Sequence, residues 1–267
     1  MPSGSHEMDA CELPNGKMVD IIGLDNEFKY ANKGKLVSGR TKLNIVGASM
    51  KSGKLYVPNT FQVQMAQVQI EKKPISNKDK ISVMGFGTSQ VTKKVLVIRA
   101  TAPDASTTST TSQISDKIFG TDGDSYNLKS HYAACSYNEL LFEPFSGNMN
   151  GETIVSGVGE VTLASNIVGV DRNVVKQSML DAADEKYGDL STKITNDELD
   201  YVMLCLPPGT DGSWVAYAYV NSWLSVYNDY WCNSLSAQMH EVGHNLGLAH
   251  SGETTTYDDK SGMMGFS

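Results

Sequence analysis

The sequence predicts an α+β fold: a mixed twisted sheet with one chemistry-bearing helix, preceded by a small β-rich unit. Three observations predict it. Two continuous apolar runs, residues 94–100 and 201–206, read as strands buried on both faces of a sheet. Residues 171–187 read as an amphipathic helix, with Val174, Val175, Met179, Leu180 and Ala183 at helical spacing, Asp171 at its N-cap and Gly188 just past its end. Near the C-terminus, His240-Glu241-Val242-Gly243-His244-Asn245-Leu246-Gly247-Leu248-Ala249-His250 gathers three of the chain's five histidines on a helix and the turn that follows it.

Length and composition set the outer limits. At 267 residues, 40% hydrophobic and 19% charged, the chain can bury one large core or two modest ones. A formal net charge of −8, with no local cluster of Lys and Arg, argues against a nucleic-acid partner. No apolar run approaches the length of a membrane span. The start, Met1-Pro2-Ser3-Gly4-Ser5-His6-Glu7, has no apolar h-region, so no signal peptide is visible. Either the protein is cytosolic or this is not the precursor's start, and the second is favoured by the resemblance and the short C-terminus described below. Four cysteines (Cys11, Cys135, Cys205, Cys232) are too few for a disulfide scaffold and lack CxxC spacing. They permit two bridges in three connectivities, among which the sequence does not choose.

Residues 1–92 read as the β-rich N-terminal unit, a pro-segment or an accessory domain. Residues 41–46 and 55–57 are strand-like runs, with glycine turns around Gly34 and at Ser52-Gly53. Residues 62–70 alternate apolar and polar until the phase slips at Ala66, which suggests a β-bulge. Cys11 could act as a thiolate latency device on a downstream metal. The plainer reading, half of a disulfide or an inert thiol, outweighs it.

Residues 93–267 read as the second domain. The Ser/Thr-rich tract at 103–112 is too polar to pack and reads as a surface loop. A short helix near 115–119, a turn at 120–124 and a helix over 127–134 follow. Strand candidates lie at 140–142, 152–155 and 158–163. The aromatic stretch 214–230 (Trp214, Tyr217, Tyr219, Trp223, Tyr227, Tyr230) reads as core and cross-strand packing, with 222–226 the candidate edge strand. Asn233-Ser-Leu-Ser236 supplies the cap of the last helix.

The spacing HExxHxxGxxH carries the chemistry. His240 and His244, four apart, share a helix face and can present imidazoles to one ion. Gly247 stops the helix, because glycine alone accepts a left-handed backbone without steric cost. The chain can then swing back and deliver His250. Three neutral nitrogens with an open position fit a catalytic zinc and not a closed structural one. Glu241 can reach a water on the same ion, and hydrolysis is the chemistry implied. HExxH alone arises by chance on the order of once in a hundred chains of this length, and the added Gly and His lower that by roughly several hundred-fold. Satisfied helix histidines and a purely structural zinc are the bland alternatives, and both are weaker.

With these residues in place, the pattern resembles the metzincin clan of zinc endopeptidases, whose members carry a methionine turn beneath the metal. Gly262-Met-Met-Gly-Phe266 follows His250, and Met264 aligns best with that turn, with Met263 the competing register. Within the clan, four stretches look like the gametolysin (autolysin) family of cell-wall-degrading metalloproteases. They are Cys135-Ser-Tyr-Asn-Glu-Leu-Leu-Phe142, Cys205-Leu-Pro-Pro-Gly209, the aromatic run ending Val226-Tyr-Asn-Asp229, and His250-Ser-Gly-Glu253 with Met263-Met-Gly265.

The resemblance spans roughly residues 95–267 and implies a metzincin-type catalytic domain whose sheet and active-site helix form the α/β-like N-terminal subdomain of that fold. It implies a secreted zymogen with one catalytic Zn2+ on His240, His244 and His250, and Glu241 as general base. It also implies Met264 as a structural turn, and a protein or glycoprotein substrate of matrix or wall bound as an extended strand. Two departures matter. Phe266 stands where some metzincins place a tyrosine near the metal, so zinc itself must stabilise the oxyanion. The chain also ends three residues beyond Met264, as a domain truncated after the Met-turn would. A latent or truncated, non-catalytic zinc- or glycoprotein-binding module is therefore the alternative expectation. Glu253 could ligate or cap, but exposure is its plainer reading. Specificity and oligomeric state are not legible.

Overall fold

The structure is a computed structural model that describes residues 10–13, 18–23, 41–45, 47–51, 54–58, 63–67, 90–251, 259 and 262–265. The chain folds as two compact units, one spanning Glu7–Gly87 and the other carrying Thr88–Ser267.

The first unit is built of short strands. β1 (Ala10–Glu12), β2 (Met18–Ile22), β4 (Ser49–Lys51) and β5 (Lys54–Tyr56) form a sheet in the order β1-β2-β5-β4, with β2 and β5 parallel. β3 (Thr41–Ile45) pairs antiparallel with β6 (Val63–Gln67). Val19, Ile21 and Val57 are buried. Gly23 takes φ +91 and lies so close to the Val57 carbonyl that a Cβ would stand 2.7 Å from it. Only glycine satisfies both the angle and the approach. The expected bulge is absent: Ala66 pairs directly with Lys42 in an unbroken register from Thr41–Gln67 to Ile45–Val63. The phase slip at Ala66 is a change of side-chain type on a regular strand. The expected turns at Gly34 and Ser52-Gly53, and the side chain of Cys11, lie outside the described residues.

The second unit is organised by β7 (Val91–Thr101), long enough to serve two neighbours on one side. β8 (Leu140–Pro144) pairs with its first half and β11 (Val158–Thr162) with its second; β12 (Tyr201–Leu206) pairs on the other side. β9 (Gly147–Met149) and β10 (Glu152–Ile154) form a separate hairpin. Beyond β12 lie β14 (Leu224–Asn228) and then β13 (Ala216–Ala218), which is antiparallel in an otherwise parallel sheet. The two apolar runs are thus interior parallel strands. Val95–Ile98 and all six residues of β12 are buried, as a sheet covered on both faces requires.

Alternation divides the core between the two faces. Val95, Val97, Tyr201, Met203, Cys205 and Tyr227 pack in one cluster with α1 (Thr111–Phe119), α2 (Leu128–Cys135) and α5 (Leu235–Asn245). α3 (Arg172–Tyr187), followed by the short α4 (Leu190–Thr195), lies against β11 and β12 and contributes nothing to that cluster. α1 and α2 each open with a capping box, Thr110 with Gln113 and Asn127 with Ser130. Asp171 caps α3 as its position suggests. The face of α3 is less uniform than the periodicity implies. Lys176 is fully buried, with Nζ donating to the Tyr219 hydroxyl at 2.6 Å, while Val174 is only half-buried.

The Ser/Thr tract does not behave as a surface loop throughout. Thr107 is buried, and its hydroxyl donates to Cys205 O at 2.8 Å. Thr108 donates from its amide and hydroxyl to the Asp229 carboxylate, both at 2.7 Å. Threonine packs here because its single hydroxyl meets the carbonyls at the end of the sheet while its methyl stays apolar. Cys205 and Cys232 form a disulfide that ties β12 to the 3-10 turn Asp229–Asn233 ahead of α5; Cys135 is free and exposed.

Candidate metal centre

α5 is held from behind before it presents anything in front. Tyr132 of α2 donates its hydroxyl to Met239 O at 2.9 Å, and Gln238 Nε2 donates to Cys232 O at 2.7 Å. Ser234 is the N-cap residue, but its side chain makes no capping bond. The cap expected within 233–236 is thus not made by Ser234: its hydroxyl lies 3.2 Å from the Ser236 hydroxyl, and Gln238 N to Ser234 O is the ordinary first bond of the helix.

At its other end the helix stops at Gly247, with φ +93. Leu248 N donates to Gly243 O at 3.0 Å and Gly247 N to His244 O at 2.8 Å, the paired bonds of a Schellman motif. That turn brings the Leu248 carbonyl to His244 Nδ1, 2.8 Å away. His240 Nδ1 meets the Met263 carbonyl at 2.7 Å. A carbonyl only accepts, so each Nδ1 carries the proton, and each Nε2 keeps its lone pair for a ligand.

His250 is returned by the turn as its spacing predicts. Its Nε2 lies 3.0 Å from His244 Nε2, and one nitrogen from each of the three imidazoles falls within 4.8 Å of the others. Nitrogens sharing one tetrahedral ion at about 2.0–2.1 Å stand roughly 3.3 Å apart, so only small side-chain movement separates this cluster from a coordination sphere. Burial holds the His240 ring below the usual imidazole range. His250 is lowered to about 4, chiefly by burial and then by His244 and His240. These two rings are therefore neutral and able to coordinate at neutral pH.

Glu241 follows His240 on α5, 2% exposed, and its Oε2 has no hydrogen-bond partner among the described residues. Burial raises its carboxyl to about 8. Three converging imidazoles are a donor set that fits a divalent cation, and such an ion would supply the charge that a buried carboxylate on the same helix needs. Beneath the cluster, Met264 is buried with its Sδ against the face of Gly243, where a Cβ would collide with it. Ser251 N donates to Met264 O at 2.8 Å, closing the turn under His250. Glu253 and Phe266 lie outside the described residues.

One sequence expectation is corrected. Residues 222–226 are not the edge: β14 is paired on both sides, by β12 and by β13. The edge strand is β13, eight residues earlier, because the chain reaches the border of the sheet first and returns inward. Sequence reasoning also passed over Gly243 and Asn245. A mid-helix glycine and an asparagine between two ligand positions were the available signals.

A family model for the gametolysin peptidases (Gametolysin peptidase M11) matches residues 92–267. The chain belongs to the gametolysin peptidase family. The match contains β7 to β14, α5 and the whole histidine cluster, so the sheet and the site of this gametolysin-family chain fall within one matched region. An autolysin of Chlamydomonas reinhardtii is 26% identical over 202 aligned residues, covering 57% of this chain. The chain spans 31% of that relative's length. Among solved structures, a chaperone–substrate complex aligns with 66% of this chain and 30% of its own, at 17% identity and a TM-score of 0.35. Among the described residues, no helix is long and apolar enough to cross a membrane.

Proposed function

We propose that this gametolysin-family chain is a zinc-dependent endopeptidase. His240, His244 and His250 are its metal ligands and Glu241 is its general base. The observation that carries the reading is the pair of backbone anchors, Met263 O on His240 Nδ1 and Leu248 O on His244 Nδ1. They leave both Nε2 atoms to converge with His250 beside a buried carboxyl. Carbonyl-anchored imidazoles are the outer-shell arrangement of histidine metal sites.

When bound, the zinc would polarise the scissile carbonyl and acidify a water. The protein's own share is positional and protolytic. Glu241 accepts the proton of the attacking water on the oxygen that makes no hydrogen bond among the described residues and returns it to the leaving amine. Met264 packs beneath the ligands and takes no part in the chemistry. The outer edge of β13, which has no partner strand among the described residues, would take an extended peptide as a further strand. Similarity to an autolysin supports a matrix or wall protein or glycoprotein as substrate, and an extracellular working place.

The test compares wild type with Glu241→Ala for zinc stoichiometry and for cleavage of casein or gelatin. One zinc in both proteins with activity only in the wild type supports the assignment. Near wild-type turnover in the variant removes Glu241 as base. One zinc with no cleavage by either protein points to a latent or binding-only chain.

A further inference from the structure

We propose that Asn245 is a positioning residue: its side-chain amide sets the height of the β13 edge strand relative to the metal ligands and so governs the binding of extended substrates. The inference rests on the peptidase reading above and deepens it.

Asn245 follows His244 on α5 and is 3% exposed. Its Nδ2 donates to Tyr219 O at 3.1 Å and to Leu224 O at 3.0 Å. These carbonyls are the two ends of the turn joining β13 to β14, and Tyr219 N donates to Leu224 O at 3.2 Å across the same mouth. Both hydrogens of one amide thus close the base of one turn. The tip of that turn is held by the neighbouring residue, with Asn221 N donating to His244 O at 2.8 Å. The turn is therefore suspended from the backbone carbonyl of one metal ligand and from the side chain next to it.

This matters because, among the described residues, β13 has a neighbour only on its β14 side in the sheet. A peptide added to its outer edge takes its register and height from β13, and β13 takes its own from the turn. Bonding the Tyr219 and Leu224 carbonyls at once takes a side chain with two N–H groups, and of residues this size only asparagine has them. An isosteric carboxylate presents acceptors to acceptors, and an isosteric leucine presents nothing.

The experiment uses the full chain, zinc-loaded, as wild type, Asn245→Asp and Asn245→Leu. Both variants remove the two donated bonds and they differ in charge, so an effect common to both belongs to the lost donors. Should one fail to fold, the other serves. The readouts are zinc stoichiometry, amide hydrogen exchange over residues 216–224, and steady-state kinetics on two probes. One probe is a quenched peptide long enough to run along the strand; the other is a short reporter confined to the residues flanking the scissile bond.

Expected in both variants are one zinc, exchange at the Asn221 amide at least tenfold faster, KM for the long peptide raised about tenfold, and the short reporter unchanged. Unchanged exchange over 216–224 overturns the inference. So does an equal loss on both probes, which is the mark of a merely structural residue. A wild type that binds zinc and cleaves neither probe overturns the peptidase reading and, with it, the substrate role of Asn245; the exchange result then decides separately whether the amide holds the turn.

Discussion

His240 Nδ1 and the Met263 carbonyl, 23 residues apart in sequence, are 2.7 Å apart in the fold. One hydrogen bond fixes the tautomer of the first histidine of the cluster and ties it to the turn that places Met264 against α5. The turn and the helix are coupled again at Gly243, whose missing side chain is what lets the Met264 sulfur approach.

Gly243→Ala tests that second contact. The added methyl should displace Met264 and loosen the Met263–His240 bond. Overpacking of this kind costs about 1–3 kcal/mol, against up to about 1 kcal/mol gained from replacing a helical glycine. We expect a net fall in thermal stability and weaker zinc retention against a chelator. The double variant with Met264→Ala should recover part of both. A single variant as stable and as metal-tight as wild type would mean that Met264 does not brace the helix.

Removing the metal should silence the protein without unfolding it. The core of β7, β12 and β14 is buried independently of the three histidines. Chelation should leave the far-ultraviolet circular dichroism intact and lower the melting temperature only by the lost binding linkage. Collapse of the signal would instead identify a structural metal.

The metal-free protein should carry two opposed pH dependences. His250 lies at about 4 when folded against an ordinary 6.5. Between those values the unfolded chain holds the extra proton, so this contribution rises with pH from about 4 to 6.5 and is flat above. Glu241 lies at about 8 when folded against 4.5, so the folded chain holds the extra proton. Its contribution is complete below 4.5 and is lost as pH rises through 8.

Glu241→Gln separates the two. In the absence of metal, the stability of the variant minus that of wild type should grow between pH 4.5 and 8, reaching roughly 2–4 kcal/mol at the upper end. Urea titrations at several pH values check it. A difference independent of pH would mean that water reaches the carboxyl.

Breaking the Cys205–Cys232 bridge by a double Ser substitution should cost about 2–4 kcal/mol, because the bond closes a loop across a sequence separation of 27. The loss should appear in the melting temperature and spread into zinc affinity, since the bridge anchors the turn that leads into α5.

The histidine cluster was legible because it is local. His240 and His244 share a helix face by spacing alone, and Gly247 announces the turn that returns His250. The interior strands were legible for a similar reason: continuous apolar runs such as 201–206 occur where a strand is covered on both faces. What lay beyond the sequence depended on partners distant along the chain. Periodicity could not reveal that β13, not residues 222–226, forms the edge, because strand order is set by which backbones meet. Nor could it choose Cys232 as the partner of Cys205, since pairing follows Cα approach and not spacing.

The sequence by itself determined which residues could hold a metal and on which kind of element they ride, because those properties repeat within a turn or two of helix. Only the tertiary structure decided which carbonyls orient the imidazoles, which sulfur lies beneath them and which amide suspends the edge strand. Each of these is a single close contact between segments far apart in the chain, and its energy exists only once the fold has brought them together.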